Sequence, residues 1–84
     1  MADALTRDQV KARGDKAAVL LRDKLFAEAA EAAEQAIIDR MTRTNLEESE
    51  KRELLYAECL GLRRVIRQLG MWANEAAVIA SEKK

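Results

Sequence analysis

The sequence predicts an all-α protein built on an antiparallel hairpin of two long helices, preceded by a short N-terminal helix. Three observations favour this fold class. The 84 residues include no proline and only three glycines, a composition typical of long helices. Apolar residues recur every three or four positions through two long stretches. The second stretch also carries consecutive heptads with apolar core positions, which is typical of coiled-coil-like packing.

The N-terminal segment, residues 1–14, is expected to form a short helix or an arm of the single helical domain 1–84. Thr6 and Gln9 have the spacing of a capping box, in which each side chain bonds to the other residue's backbone N–H. Gly14 is expected to end this helix, because glycine is common just beyond the last helical residue.

The second helix is predicted over residues 15–42, with Asp15 as its N-cap. One apolar stripe runs along it at spacings of three and four residues: Phe26, Ala30, Ala33, Ile37 and Met41. Further small or apolar residues are expected to widen the buried stripe: Leu25, Ala29, Ala32 and Ala36. Charged and polar side chains would then occupy the opposite, solvent-facing side.

The third helix is predicted over residues 46–80, after a short polar break. Thr44 and Glu47 have the spacing of a second capping box at its start. Its core heptad positions are predicted to hold two sets of residues: Leu55, Leu62, Leu69 and Ala76, and Cys59, Ile66, Ala73 and Ala80.

A short connection between two long amphipathic helices makes antiparallel packing the expected arrangement. Glu28 and Glu31 would then lie roughly level with Arg63 and Arg64. Exposed ion pairs of this kind contribute only about 0–1 kcal/mol each, so they would influence register more than stability.

The C-terminal stretch 69–81, LGMWANEAAVIAS, contains a single charged residue, Glu75, and is apolar on nearly all sides. A helix of this kind is normally buried on more than one side. The chain is therefore predicted to be a homo-oligomer or a subunit of a larger protein complex. The predicted partner-binding residues are Val65, Met71, Trp72, Val78 and Ile79.

Charge and composition limit the other classes of partner. Lys and Arg balance Asp and Glu at 15 each, so no net charge draws the chain towards nucleic acid or membranes. The charged N-terminus lacks the apolar core of a signal peptide, and no stretch approaches the roughly 20 apolar residues that span a bilayer. A lone cysteine fits a reducing compartment. We expect a soluble, cytoplasmic protein.

The residues that commonly perform catalysis are scarce. Histidine is absent, which removes the commonest general base and metal ligand. Cys59 occupies a core heptad position, so it is interpreted as a small buried apolar residue and not as a nucleophile. We therefore predict a non-enzymatic protein with no catalytic, cofactor-binding or metal-binding residues and no small-molecule substrate.

Arg63, Arg64 and Arg67 lie on the outer side of the third helix and form the clearest polar candidate site. A solvated surface is the favoured interpretation, followed by contact with an acidic protein. Nucleic-acid binding usually comes with a basic excess and a recognisable module, and both are missing. Binding of nucleic acid or of a host regulator through these arginines is kept as the alternative function.

Two stretches carry a resemblance to a known group of proteins. LLRDKLFAEAAEAAEQAIIDRM contains the pattern Leu-Leu-x-Asp-x-x-Phe-x-Glu-Ala, and RELLYAECLGLRRVIRQL contains an Arg-Glu pair and a Leu-x-x-Arg core. The chain thus resembles small helical proteins encoded among the head-morphogenesis genes of tailed bacteriophages, whose function is uncharacterised. The matching positions are Leu20, Leu21, Asp23, Phe26, Glu28, Ala29, Arg52, Glu53, Leu60 and Arg63.

This resemblance implies a phage or prophage protein of the virion or of its assembly, found in the host bacterial cytoplasm or in the virion. The sequence departs from the family in two ways. The family's C-terminus tends to be charged, whereas residues 69–81 here are apolar. Family members often have proline after the aspartate, where a fresh helix starts, whereas here Lys24 follows Asp23. The second helix is therefore expected to run through this point.

Overall fold

The computed structural model describes residues 4–82, and within that range it contains three helices. Helix α1 spans Arg7–Arg22, α2 spans Lys24–Thr42 and α3 spans Ser49–Ser81. The predicted all-α class is confirmed. The chain divides into two compact units: unit 1 comprises the chain up to Asp23 and from Ile66 onward, and unit 2 is Lys24–Val65.

Helix α1 begins as predicted but ends much later. Both bonds of the capping box form: the Thr6 N–H donates to Gln9 Oε1 over 2.9 Å, and the Gln9 N–H donates to Thr6 Oγ1 over 3.2 Å. Gly14 lies inside the helix, which ends at Arg22 and is followed by Asp23, whose backbone is extended with φ −70° and ψ 125°. The predicted stop at Gly14, and with it the role of Asp15 as an N-cap, was wrong.

Gly14 lies where helix α1 contacts Trp72 and Ala76 of helix α3. A Cβ atom at position 14 would lie 2.5 Å from the Cβ of Ala76 and would overlap the carbonyl oxygen of Trp72. Glycine therefore lets α1 approach the C-terminal part of α3 without steric overlap. Ala17 and Ala76 are almost fully buried, so small residues line this contact.

Helix α2 is shorter than predicted and less buried. It starts at Lys24 because the chain is extended at Asp23, so the expectation of a continuous helix through this point was wrong. None of its residues is fully buried. Its less exposed residues form one narrow stripe: Phe26, Ala30, Glu34, Ile37, Ile38 and Met41.

The predicted widening of this stripe was wrong. Leu25 is 73% exposed, and the remaining alanines of the expected stripe also face solvent: Ala29, Ala32, Ala33 and Ala36. The physical reason is that a single packed neighbour covers only part of a helix circumference.

The connection between α2 and α3 is capped differently from the prediction. The Asn45 N–H donates to Glu48 Oε1 over 3.1 Å, and the Glu47 N–H donates to Asn45 Oδ1 over 3.0 Å. Asparagine competes well for this position because its short side chain bonds to backbone N–H groups two residues on. The predicted Thr44–Glu47 capping box was therefore wrong, and α3 starts at residue 49.

The heptad pattern of α3 largely agrees with the structure. Leu55 and Cys59 are buried in unit 2, and Ala76 is buried in unit 1. The other predicted core positions are half-buried: Leu62, Ile66, Leu69 and Ala73. Ala80, in the last turn of the helix, is exposed.

Within each unit, residues earlier in one helix contact residues later in the other helix. In unit 1, Arg7 bonds to Glu82 over 2.8 Å. In unit 2, Glu34 bonds to Arg63, and Arg40 lies 3.8 Å from Glu58. The hairpin of two long helices and the oligomeric state stay predictions. Between residues 4 and 82, no helix has both the length and the hydropathy that crossing a membrane requires.

Candidate functional site

The predicted arginine site is divided by an ion pair within unit 2. Arg63 donates from Nε and Nη2 to Glu34 Oε1 over 3.0 and 2.5 Å. The hydrogen bond from Arg63 lowers the pKa of Glu34 below its ordinary value of 4.5 and in turn raises the pKa of Arg63. The expected pairs with Glu28 and Glu31 do not form; Glu34, one turn further along α2, takes their place.

Arg64 and Arg67, unlike Arg63, have no carboxylate partner among the described residues. Both are exposed, and neither forms an ion pair with any residue that the structure describes. Of the three predicted contact residues, Arg64 in unit 2 and Arg67 in unit 1 thus have no ion-pair partner among residues 4–82.

The five predicted partner-binding residues fall into two groups. Val65, Met71 and Val78 are at least half exposed, at 60%, 54% and 50%. Large apolar side chains with this exposure remain available to another protein. Trp72 and Ile79 are half-buried.

Trp72 has a neighbour that sequence reasoning did not assign to it. The guanidinium carbon of Arg13 lies 4.4 Å from the centroid of the indole ring, within the range of a cation–π contact. Part of the apolar C-terminal stretch is thus covered by α1 of the same chain, within unit 1.

Beside this contact, unit 1 contains an open groove of about 220 Å³. Its walls are mainly apolar, with two cationic side chains. Six residues line it: Arg13, Lys16, Ala17 and Leu20 from α1, and Leu69 and Trp72 from α3.

The groove was missed because residues 1–14 were interpreted as a short helix or arm. A signal was present in the sequence: Gly14 and Ala17 are small residues at helical spacing, typical of a close helix contact. The groove lined by Arg13, Lys16, Ala17, Leu20, Leu69 and Trp72 is called the Arg13–Trp72 groove below.

Cys59 is buried, as its heptad position predicts, and its thiol lies 3.6 Å from Glu34 Oε1. The cysteine, the carboxylate and Arg63 therefore form one small polar cluster in unit 2. Across residues 4–82, no group of three or more potential ligands is placed to hold a metal ion.

Comparisons with protein-family models, with curated proteins and with solved structures found no match to this chain.

Proposed function

We propose that this protein is a non-enzymatic helical interaction module that completes its core by association, as a homo-oligomer or as a small subunit of a phage-related assembly. The observation that carries the proposal is the imbalance between buried and exposed apolar residues. The buried apolar residues within residues 4–82 are Ala17, Leu55, Cys59 and Ala76. Eleven large apolar side chains in the same range are exposed.

The free energy gained by burying the exposed apolar side chains favours association. Full burial of one large aliphatic side chain contributes roughly 1.5–3 kcal/mol. Covering Val65, Met71 and Val78 would therefore contribute several kcal/mol, a large share of the roughly 5–15 kcal/mol by which native domains are stable. Single exposed apolar residues are normal, but a small core beside many of them is typical of a protein with a partner.

The non-enzymatic proposal gives Glu34 and Glu48 structural roles. The pKa values of Glu34 and Glu48 are both lowered, because their carboxylates accept hydrogen bonds from Arg63 and from the Asn45 backbone N–H respectively. A general acid needs a raised pKa, whereas a lowered one suits a permanently charged side chain in an ion pair or a turn.

The phage-related part rests on the resemblance of the first and second long helical stretches to head-morphogenesis proteins. It places the protein in the host bacterial cytoplasm or in the virion. Purification of the assembled particle from a bacterial host, followed by mass spectrometry, tests this part: the chain should travel with capsid proteins. Its absence from every particle fraction would contradict it.

Sedimentation velocity at micromolar concentration tests association. The natural chain should sediment as an oligomer of the 9.4 kDa subunit, and the double variant Met71→Glu, Val78→Glu should shift it towards the monomer. Leu46→Glu is the matched control, because Leu46 is 93% exposed in the connection between helices and lies outside the predicted contact. A natural chain that is fully helical and monomeric would contradict self-association.

The alternative, binding of nucleic acid or of a host regulator, is favoured by the two available cations Arg64 and Arg67. The test is a titration with duplex DNA at several salt concentrations. Electrostatic binding would weaken steeply with salt and would be lost in the double variant Arg64→Gln, Arg67→Gln. DNA binding that is undetectable at low salt would remove the nucleic-acid form of this alternative.

A further inference from the structure

We propose that the Arg13–Trp72 groove binds an acidic peptide segment of a partner protein, which inserts one bulky apolar side chain against Trp72 and places carboxylates beside Arg13 and Lys16. This inference rests on the proposed function as an interaction module and adds the class of partner. It concerns unit 1 alone, since every lining residue belongs to that unit.

The size of the groove indicates what fills it. Its volume of about 220 Å³ is smaller than the roughly 300–1,000 Å³ of typical small-molecule sites. Protein interfaces, in contrast, often depend on single aliphatic or aromatic anchors that fill small pockets. The apolar walls formed by Ala17, Leu20 and Leu69 suit such an anchor.

The charges of the groove indicate what surrounds the anchor. Arg13 and Lys16 form no ion pair with any residue between 4 and 82, and the groove has no carboxylate among its lining residues. The Nε atom of Arg13 is buried and has no hydrogen-bond partner in this range. Because that atom is enclosed, a partner's carboxylates would instead pair with the terminal guanidinium nitrogens of Arg13 and the ammonium group of Lys16.

A nucleic acid fits the same groove less well. Binding of nucleic acid depends on several phosphate contacts and on aromatic faces that are free to stack with bases. Here two cations are present, and Arg13 already covers one face of the Trp72 ring. The combination of an apolar pocket and two cations instead matches an apolar residue flanked by acidic ones.

The single tryptophan of the chain provides the readout. The full chain is titrated with a capped peptide in which glutamates flank one central leucine, and Trp72 fluorescence is recorded. We expect saturable binding that weakens as salt screens the charges. A peptide with lysines in place of glutamates, and one with alanine in place of leucine, should each bind much more weakly.

Variants locate the binding site. Arg13→Gln and Lys16→Gln should each weaken binding of the glutamate peptide about fivefold, the upper range for one partly exposed ion pair. Arg22→Gln is the matched control, because Arg22 is an exposed arginine of the same helix outside the groove. Where Arg13→Gln alters helicity by circular dichroism, Lys16→Gln decides, because that side chain is exposed.

The inference is overturned if the lysine peptide binds as tightly as the glutamate peptide, if no titration changes Trp72 fluorescence, or if a DNA oligonucleotide binds this groove more tightly than the peptide. Failure here is distinguishable from failure of the proposed function. An oligomer that ignores the acidic peptide keeps the interaction module and removes this partner. A monomer that binds the peptide keeps the groove and removes self-association.

Discussion

The absence of a side chain at Gly14 has a structural consequence within unit 1. The residue is buried and helical, and a Cβ atom there would overlap the carbonyl oxygen of Trp72. Backbone atoms cannot move aside as a flexible side chain can, so a substitution must separate the two helices. Gly61 and Gly70 in α3 have open space where a Cβ would lie. Of these three helical glycines, only Gly14 is required by a close contact with a neighbouring helix.

Gly14→Ala should destabilise the protein by about 1–3 kcal/mol, because overpacking outweighs the helix propensity gained. Gly61→Ala and Gly70→Ala are the controls and should each stabilise it by roughly 0.5–1 kcal/mol. Urea denaturation followed by circular dichroism measures all three free energies of unfolding. Stabilisation by all three substitutions to a similar extent would contradict the close helix contact.

The ion pair between Glu34 and Arg63 should make stability depend on pH. Because the pKa of Glu34 is lowered in the folded state, its stabilisation is present above the ordinary value of 4.5 and is lost as pH falls through the folded value. Glu34→Gln should therefore be less stable than the natural chain at neutral pH, with the difference disappearing in acid. Glu31→Gln, which removes a carboxylate without an ion pair in the described structure, should lack this pH-dependent difference. Thermal unfolding between pH 7 and pH 3 tests the comparison.

At the scale of the elements, helix α1 shows which boundaries a sequence can predict. The start was predicted because Thr6 and Gln9 form a local pattern whose two hydrogen bonds involve only each other. The end was not, because Gly14 can mark either a helix stop or a close contact, and only the packing against Trp72 and Ala76 distinguishes the two. A helix boundary that depends on residues distant in the sequence cannot be predicted from the residues around it.

Removal of the capping box should destabilise α1. Thr6→Ala loses the acceptor for the Gln9 N–H and should cost about 0.5–2 kcal/mol. Thr42→Ala is the matched control, because the Thr42 hydroxyl only donates to the Asp39 carbonyl within its own helix; this change should stay within about 0.5 kcal/mol. Equal effects of the two substitutions on the urea midpoint would contradict the capping role.

Helices α2 and α3 show the same limit on prediction. The α3 heptads identified buried Leu55, Cys59 and Ala76, since a period of seven defines one stripe regardless of the neighbour. In α2 the predicted stripe contained Phe26, Ala30, Ile37 and Met41 correctly but was predicted too wide, since Leu25 proved exposed. The width of a buried stripe depends on how much of the helix its neighbour covers, which the sequence of that helix does not encode.

At the scale of the whole molecule, the candidate sites were only partly predictable. Helical spacing and hydropathy selected Val65, Met71 and Val78, which are at least half exposed; their contact with a partner stays a prediction. The Arg13–Trp72 groove was not, because it needs α1 beside α3, and α1 had been interpreted as a shorter helix. The pairing of Arg63 with Glu34 was missed by one helical turn. A site formed by residues of one helix can be predicted from the sequence. A site formed between two helices depends on how the helices are aligned along each other.

We propose that association completes the small core of this chain. The most direct measurement is the thermal unfolding midpoint, followed by circular dichroism over a hundredfold range of protein concentration. If folding and association are coupled, the midpoint should rise by roughly 5–10 °C across that range, because mass action stabilises the oligomer. A midpoint that does not change with concentration, in a helical chain with the 9.4 kDa mass of a monomer, would contradict the claim.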